Sequence, residues 1–475
     1  MWKKPLAFIL LANCGMLFLA LSQAQADGAL SLHGQLKNET AYRYVQPAAF
    51  SKILNIARLE ARYAPTSLFQ VTAMVRSYYD AAYDFQQVDN ISPRTNPRTI
   101  LAANLTAEEI EALRITNLRQ VDIVQKRTEL RELYLDLFLK RLDLRIGRQI
   151  VRWGVVEGAR ITDEINPLDF QEFILREIQD RYIPLWMVKA NAYLGLYTLE
   201  LLWIPDLKFH RPAPRGSQWE QFQSLPNAKE PPQTFRNSEW ATKLSRQIGG
   251  WDLSLSYFYT WDDFPSAFRT VFGLGEFGIS PEIGFNPRHT RLHIAGGTFS
   301  KGIGPTVISG EVAYVQGKMF GTRLGRFNPV LGGPEGIQTL QVTLGEIKRD
   351  YVKYGLSLDF SFLGTAWSLQ MLQQYIPRYQ SGIIQDRLDT VLGLFIRREA
   401  LHNRLLFEWL TLYFVNDKET LTRPKATYQI HDSFKIAVGA DIFSGSIGGP
   451  LPGEFNFIGF FKNNDRVYTE FTYSF

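Results

Sequence analysis

A period of two returns along almost the whole chain and limits what it can fold into. Alternating segments occur at Ser31–Val45, Ile53–Ala64, Leu68–Asp84, Thr128–Leu139, Asp143–Trp153, Leu185–Leu194, Leu196–Trp203, Ser238–Gln247, Trp251–Trp261, Thr290–Lys301, Thr306–Gln316, Asp350–Phe362, Ala366–Tyr375, Arg387–Arg398, Arg404–Val415, Thr422–Ile430, Phe434–Ser444 and Arg466–Phe475. Such a period belongs to strands with one apolar and one polar face. Leu133, Leu135, Leu137 and Leu139 oppose Glu132, Tyr134, Asp136 and Phe138; Tyr354, Leu356, Leu358 and Phe360 oppose Lys353, Ser357, Asp359 and Ser361. In Arg404–Val415 the face with Leu406, Leu410 and Leu412 also carries Glu408, which suggests a partly apolar interior packed by a loop.

The connections alternate as well. Those after even-numbered segments are short, such as Lys140–Leu142, Gly195 and Ile248–Gly250. Those after odd-numbered segments are mostly long, such as 154–184, 204–237 and 317–349, with Gln46–Lys52 and 416–421 as the brief exceptions. A soluble sandwich has no need of this arrangement, whereas a barrel crossing a bilayer does. The expected fold is all-β: a single transmembrane antiparallel β-barrel of about 18 strands (16–20), with short periplasmic turns and long extracellular loops carrying short helices. An even strand number brings the C-terminus back to the N-terminal side, so Arg466–Phe475 would pair with Ser31–Val45 and remove both sheet edges.

The first residues add a compartment. Lys3 and Lys4 precede a largely apolar run, Leu6–Leu21, and Ala24-Gln25-Ala26 offers small residues for cleavage. Residues 1–26 read as a secretory signal peptide and 27–475 as one outer-membrane barrel. The single cysteine, Cys14, would leave with the signal. No later segment is apolar for the ~18 residues that a membrane helix needs, yet 13% of the chain is aromatic, enough for interfacial girdles. Trp153, Trp186, Trp203, Trp240, Trp261 and Trp409 are girdle candidates. The formal charge is +5, two units of it from Lys3 and Lys4, which excludes the strong basic excess of a nucleic-acid binder.

Two loop stretches carry helix-start patterns: Thr106-Ala107-Glu108-Glu109, and Asp169-Phe170-Gln171-Glu172 ahead of Phe173, Ile174 and Ile178. A helix there with an apolar face would bury it at the barrel mouth, as a constriction, or on neighbouring loops.

The densest motif runs RIGRQIVRWGVVEGARITDEINPLDF from Arg145. Arg145, Arg148 and Arg152 are read as lying along one strand, Gly147 as permitting a bulge, and Asn166-Pro167 as forcing an extended exit. With Arg58, Arg62 and Arg76 they would line the interior beside Glu60, Asp80, Glu132 and Asp136. Arginine rows bind carboxylates or phosphates bidentately; opposed to carboxylates, they instead form ladders that stiffen the wall.

Catalysis and metal binding find little support. Nothing in the spacing joins His293 to Ser300 or Glu311 as a hydrolase site, and His289 and His293 on one strand would stand ~13 Å apart, too far for one ion. No enzyme activity and no cofactor are expected, and no haem-attachment motif is present.

The "GRQ…WG…INPLD" pattern and the ending FIGFFKNNDRVYTEFTYSF resemble those of a family of large Gram-negative outer-membrane barrels of unassigned function, and the pattern is similar to that of alginate-export-type porins. The final aromatic resembles the terminal residue that the barrel-assembly machinery reads in such barrels. The resemblance implies a channel embedded in outer-membrane lipid, passing a small solute, anionic or organic. The alternative is a sleeve or docking partner for another exported protein, in an efflux, lipoprotein or electron-transfer complex. Arg58, Arg62, Arg76, Arg145, Arg148, Arg152, Glu132 and Asp136 are the candidates for lumen selectivity, and Phe475 is the candidate assembly signal.

Overall fold

The computed structural model describes residues 29–46, 48–85, 125–213, 217–219, 228–274, 281–322, 345–447 and 456–475. Nine strands lead: β1 (Leu30–Arg43), β2 (Ala49–Thr66), β3 (Phe69–Asp80), β4 (Lys126–Leu139), β5 (Leu142–Gln149), β6 (Leu185–Leu194), β7 (Tyr197–Ile204), β8 (Glu239–Ile248) and β9 (Trp251–Trp261). A hairpin of β10 (Ser266–Leu274) and β11 (Pro281–Arg288) follows. The wall resumes with β12 (Arg291–Ile303), β13 (Thr306–Gly321), β14 (Glu346–Phe362), β15 (Thr365–Tyr375), β16 (Leu388–Ala400), β17 (Leu405–Phe414), β18 (Glu419–His431), β19 (Phe434–Ser444) and β20 (Arg466–Ser474).

Each wall strand is antiparallel to its neighbours, and β1 pairs with both β2 and β20, so the eighteen strands close into a barrel. These are the eighteen segments that the alternation marks. The β10–β11 hairpin, outside the wall, was not anticipated. Side chains sort as the pleat requires: Leu356, Leu358, Val467, Phe471 and Tyr473 are exposed outward, while Ser357, Arg466 and Tyr468 are buried inward. Closure is tight at the last residue. Phe475 exchanges backbone hydrogen bonds with Gly34 (2.8 and 3.0 Å), and its ring covers Gly34 where any Cβ would collide with it.

Three expectations need correction. The fifth strand ends at Gln149, not Trp153, because side chains take its backbone out of the sheet: Val151 N–H donates to Asn166 Oδ1 (2.8 Å) and Trp153 N–H to Asp163 Oδ1 (2.9 Å). Gly147 makes no bulge; the β4–β5 register runs unbroken, and the glycine (φ 138°) lets the chain pass where a Cβ would meet Leu133 O and Tyr134. The bulge lies opposite, in β4, where Met74 and Val75 pair with Glu132 and Leu130 and leave Arg131 between them. Finally, Asp169–Glu172 starts no helix over Phe173 and Ile174. Asp169 Oδ1 accepts from Gln171 N–H (2.9 Å), Phe173 has a positive φ (51°), and turns continue to a single helical turn, α2 (Ile178–Arg181), the earlier α1 being Ala82–Phe85. The other helix-start pattern and the signal segment lie outside the described residues. No described helix is long and apolar enough to cross a membrane.

Candidate functional site: a segment folded across the lumen

The chain between β5 and β6 does not stay at the mouth. Residues 151–183 cross the interior and touch opposite sides of the wall, carried there by two different kinds of contact.

The first half packs. Val151, Trp153, Val156, Ala159, Ile161 and Ile165 are buried against inward side chains of β6 to β9 and β12 to β14, among them Met187, Leu202, Phe258, Ile294, Val315 and Tyr351. One carboxylate fixes this half in place. Glu311 of β13 is 3% exposed and accepts from Val155 N–H and Val156 N–H (both 2.6 Å) through Oε1, and from Thr162 N–H (3.1 Å) and Thr162 Oγ1 (2.7 Å) through Oε2. Gly154 (φ 100°) allows that approach, since a Cβ there would sit 2.9 Å from Glu311 Oε1. Trp153 Nε1 donates to Glu200 of β7 (2.5 Å), so Trp153 is a buried lumen residue and not a girdle residue. Trp186, Trp240 and Trp409 are exposed outward.

Asn166 ties the base of the segment. Fully buried, it accepts from Val151 N–H and donates to Ile183 O (2.9 Å), clamping the start of the crossing to its end. Gln149, also fully buried, donates to Met187 O (3.2 Å) and Gly147 O (3.4 Å). Several residues of the "GRQ…WG…INPLD" pattern are therefore those that make and hold the crossing.

The second half, residues 169–181, buries only two apolar side chains, Phe173 and Leu175, in an aromatic cluster with Phe443, Ile458 and Phe461, and is otherwise held by charge. Glu172 accepts from Lys52 Nζ of β2 and Arg466 Nη1 of β20 (2.7 Å each) and from Arg176 Nε (3.3 Å). Burial pushes its carboxyl up, but Lys52, Arg466 and Arg176 outweigh that and hold it well below the usual range. Asp441 of β19 bridges Arg466 and Arg423 (2.7 Å each), and Arg423 Nη2 reaches Leu175 O (2.6 Å). Asp180 of α2 pairs with Arg58 and with Arg76 (3.3 Å), and Arg131 Nη2 donates to Gln179 O (3.3 Å). Between the halves, His210 Nδ1 accepts from Leu168 N–H (2.8 Å), and burial with neighbouring cations holds its imidazole well below its usual pKa.

The sequence-derived candidates fall into three groups. Arg58 and Arg76 meet the crossing segment through Asp180, with Arg76 also on Glu129 (2.6 Å). Arg145 binds Asp136 bidentately (2.6 and 3.0 Å) over the Tyr134 ring, Arg62 pairs with Glu60 (2.6 Å), and Glu132 takes a backbone hydrogen bond from Ile150. All three stay on the wall, and only the Arg145–Asp136 pair joins two strands. Arg148 and Arg152 are placed otherwise. The register sets Arg148 beside Leu133 and exposed Trp186, on the outward face, and Arg152 is exposed beyond the strand, 5.4 Å from the Tyr182 ring. The histidine expectations change too. His289 precedes β12 and is buried, whereas His293 is exposed and outward, away from the inward Glu311. No described group of three or more His, Cys, Asp or Glu could hold a metal.

Sequence reasoning weighed Glu311 only beside His293 and missed its anchoring role, and it missed Arg181 altogether. Glu311 had one signal: it is the lone acid on an inward face of Ser309, Ala313 and Val315. Arg181 had none. It stands without a carboxylate partner among the described residues, its Nε buried and unbonded, and burial together with Arg423 and Arg160 pushes it down to about 10.

A family described as "Protein of unknown function (DUF1302)" matches residues 22–390. No curated protein matches. Among solved structures, the chain is similar to Acinetobacter baumannii OccAB2 (11% identity, 94% of this chain and 98% of that one, TM-score 0.50). Pseudomonas aeruginosa OccK8 (OprE) aligns at 10% identity over 94% and 98% (TM-score 0.49), and the P. aeruginosa outer membrane protein OpdK at 9% over 94% and 99% (TM-score 0.47). At such identities OccAB2 supports the fold alone, that of outer-membrane porins.

Proposed function

The chain belongs to that family, whose description assigns no activity, and we propose that it is an outer-membrane channel narrowed by residues 151–183 and selective for anionic, including organic, solutes. The observation that carries the reading is Arg181: a cation on the segment that crosses the lumen, with no carboxylate partner among the described residues, near Arg423 and Arg160. A cation so placed favours a passing carboxylate or phosphate by charge-assisted hydrogen bonding. The porin-like fold and the resemblance to alginate-export-type porins support the same reading, which involves no catalytic step. Export through a cleaved signal peptide (1–26), and assembly guided by Phe475, complete it.

Reversal potentials in a salt gradient across a planar bilayer test it. Anion preference is expected, with Arg181→Gln lowering the anion-to-cation permeability ratio; cation preference in the unaltered protein would overturn it. A second reading, a sleeve sealed until an exported partner arrives, draws support from the crossing segment's contacts on both sides of the wall. Liposome swelling separates the two, since a sealed sleeve would be inert alone.

A further inference from the structure

Cations inside the barrel are mostly paired with carboxylates. One outward-facing group is not. At the long-connection end, where β12 and β14 begin and β13 ends, a surface hollow of about 450 Å³ is lined by Arg291, His293, Lys348, Arg349 and Arg378. Leu292 and Ile294 are buried inward, so Arg291 and His293 face out; Lys348, exposed and opposite Met319, does too. Arg378 is exposed on the connection after β15.

The cluster is built rather than incidental. The Arg291 guanidinium lies over the Tyr259 and Trp261 rings (4.4 and 4.1 Å), which flatten it against the outer wall. Arg349 spends its guanidinium on Arg378 O (2.8 Å) and Lys348 O (2.7 Å), and so fixes the backbone of the two exposed cations. The one acid, Asp350, is occupied by Tyr314 OH (2.8 Å) and Gly317 N–H (3.1 Å). None of the five basic residues has an ion-pair partner among the described residues.

Uncompensated cations on a lipid-facing wall cost about 2–4 kcal/mol each at mid-bilayer and about 0–1 near an interface. Grouped at one rim beside Tyr and Trp, they stand at headgroup level. We infer that this hollow binds the phosphates of an outer-leaflet phosphorylated glycolipid. The inference rests on reading the barrel as an outer-membrane protein with its long connections outside. The hollow's volume suits a headgroup and not a lone ion.

The test uses the purified full chain in neutral detergent, titrated with a bis-phosphorylated lipid A, its dephosphorylated form, an anionic glycerophospholipid and inorganic phosphate. The phosphorylated glycolipid is expected to bind at least about tenfold tighter than the other three, a difference of ~1.4 kcal/mol. Lys348→Gln with Arg378→Gln, both exposed, should remove that preference while leaving heat-modifiable migration and single-channel conductance unchanged. Equal binding of the dephosphorylated form, or full affinity in the double variant, would overturn the assignment. So would displacement of the lipid by millimolar phosphate, which would mark a free-anion site, or preference for the glycerophospholipid. Conductance of the same preparation tests the channel reading separately, because a silent barrel that still shows the preference loses the channel and keeps the lipid site.

Discussion

The two halves of the crossing segment are anchored by different balances of packing and charge. Residues 151–165 lie mostly among apolar side chains, with Glu311 taking the most bonds and the Lys353–Glu164 pair a second tie; residues 169–181 place their carboxylates against arginines and lysines and bury only two apolar side chains, Phe173 and Leu175, in an aromatic cluster. The first is chiefly a packed core, with Glu311 as its most heavily bonded polar anchor. The second is a charge network in which removing one member leaves others buried and unbalanced. A constriction held in both ways keeps a fixed outline on one side while its cationic side stays lined with ionisable groups. A passing anion would interact with that second side.

The largest effect should come from cutting the charge network at its centre. Glu172→Gln leaves Lys52, Arg466 and Arg176 short of their shared carboxylate, and should loosen residues 169–181 by about 3–5 kcal/mol. Hydrogen exchange should show that loss confined to the second half, with noisier or higher conductance. If protection falls equally across residues 151–165, the halves are one unit and the comparison fails.

The carboxylate anchor comes next. Glu311→Gln keeps an acceptor for Val155 and Val156 but turns an amide donor toward Thr162 N–H, at a cost of about 2–3 kcal/mol. The expected loss is in residues 155–162 alone. Smaller still is a pure packing change: Ile165, 2% exposed, shortened to Val should cost about 1 kcal/mol. It should leave ion selectivity untouched, which a change in reversal potential would contradict.

The sequence revealed the wall far better than the crossing, and for a physical reason. Every wall strand, from Leu30–Arg43 to Arg466–Ser474, repeats one local rule: out to lipid, in to the lumen. Residues 151–183 obey no period, because each is placed by a different strand far away in sequence: Glu311, Lys353, Lys52, Arg466. Thus Asp169-Phe170-Gln171-Glu172 has the spacing of a helix start, but Glu172 is committed to two wall cations, and local capping loses to two buried ion pairs. Arg148 and Arg152 look continuous with Arg145 in one dimension only. Three residues along β5 put Arg148 on the opposite face from Arg145, and Arg152 lies beyond the strand's end at Gln149. The Arg145–Asp136 pair was legible because its carboxylate sits on the neighbouring strand, whereas the ties of Arg58 and Arg76 to Asp180, 122 and 104 residues away, were not. Arg181 was not, since what distinguishes it is a partner it lacks.

Acidification should separate the halves with the smallest but most specific signal. Glu172 has its folded pKa held well below 4.5, so its contribution is present above the unfolded value and is lost only as pH falls through the depressed one. The second half should therefore keep its protection from pH 7 to about 5. Asp163, in the first half, is shifted the other way: burial raises it, and Tyr182 OH, Arg160 and Trp153 N–H offset that only in part. A raised carboxyl binds its proton better folded than unfolded, so Asp163 contributes most below the ordinary value of ~3.9 and loses that contribution as pH rises through the folded one, whereas Glu164 beside it, pushed up by burial but held low by Lys353 and Arg160, behaves as Glu172 does. Hydrogen exchange at pH 7, 5 and 4 should accordingly show the Trp153 N–H, which donates to Asp163, unchanged or better protected as the pH drops, while residues 169–181 begin to open only at the acid end. Opening of the Trp153 N–H together with residues 169–181 would mean that Asp163 and Glu172 report one shared transition, and the division into a packed half and a charged half would have to be abandoned.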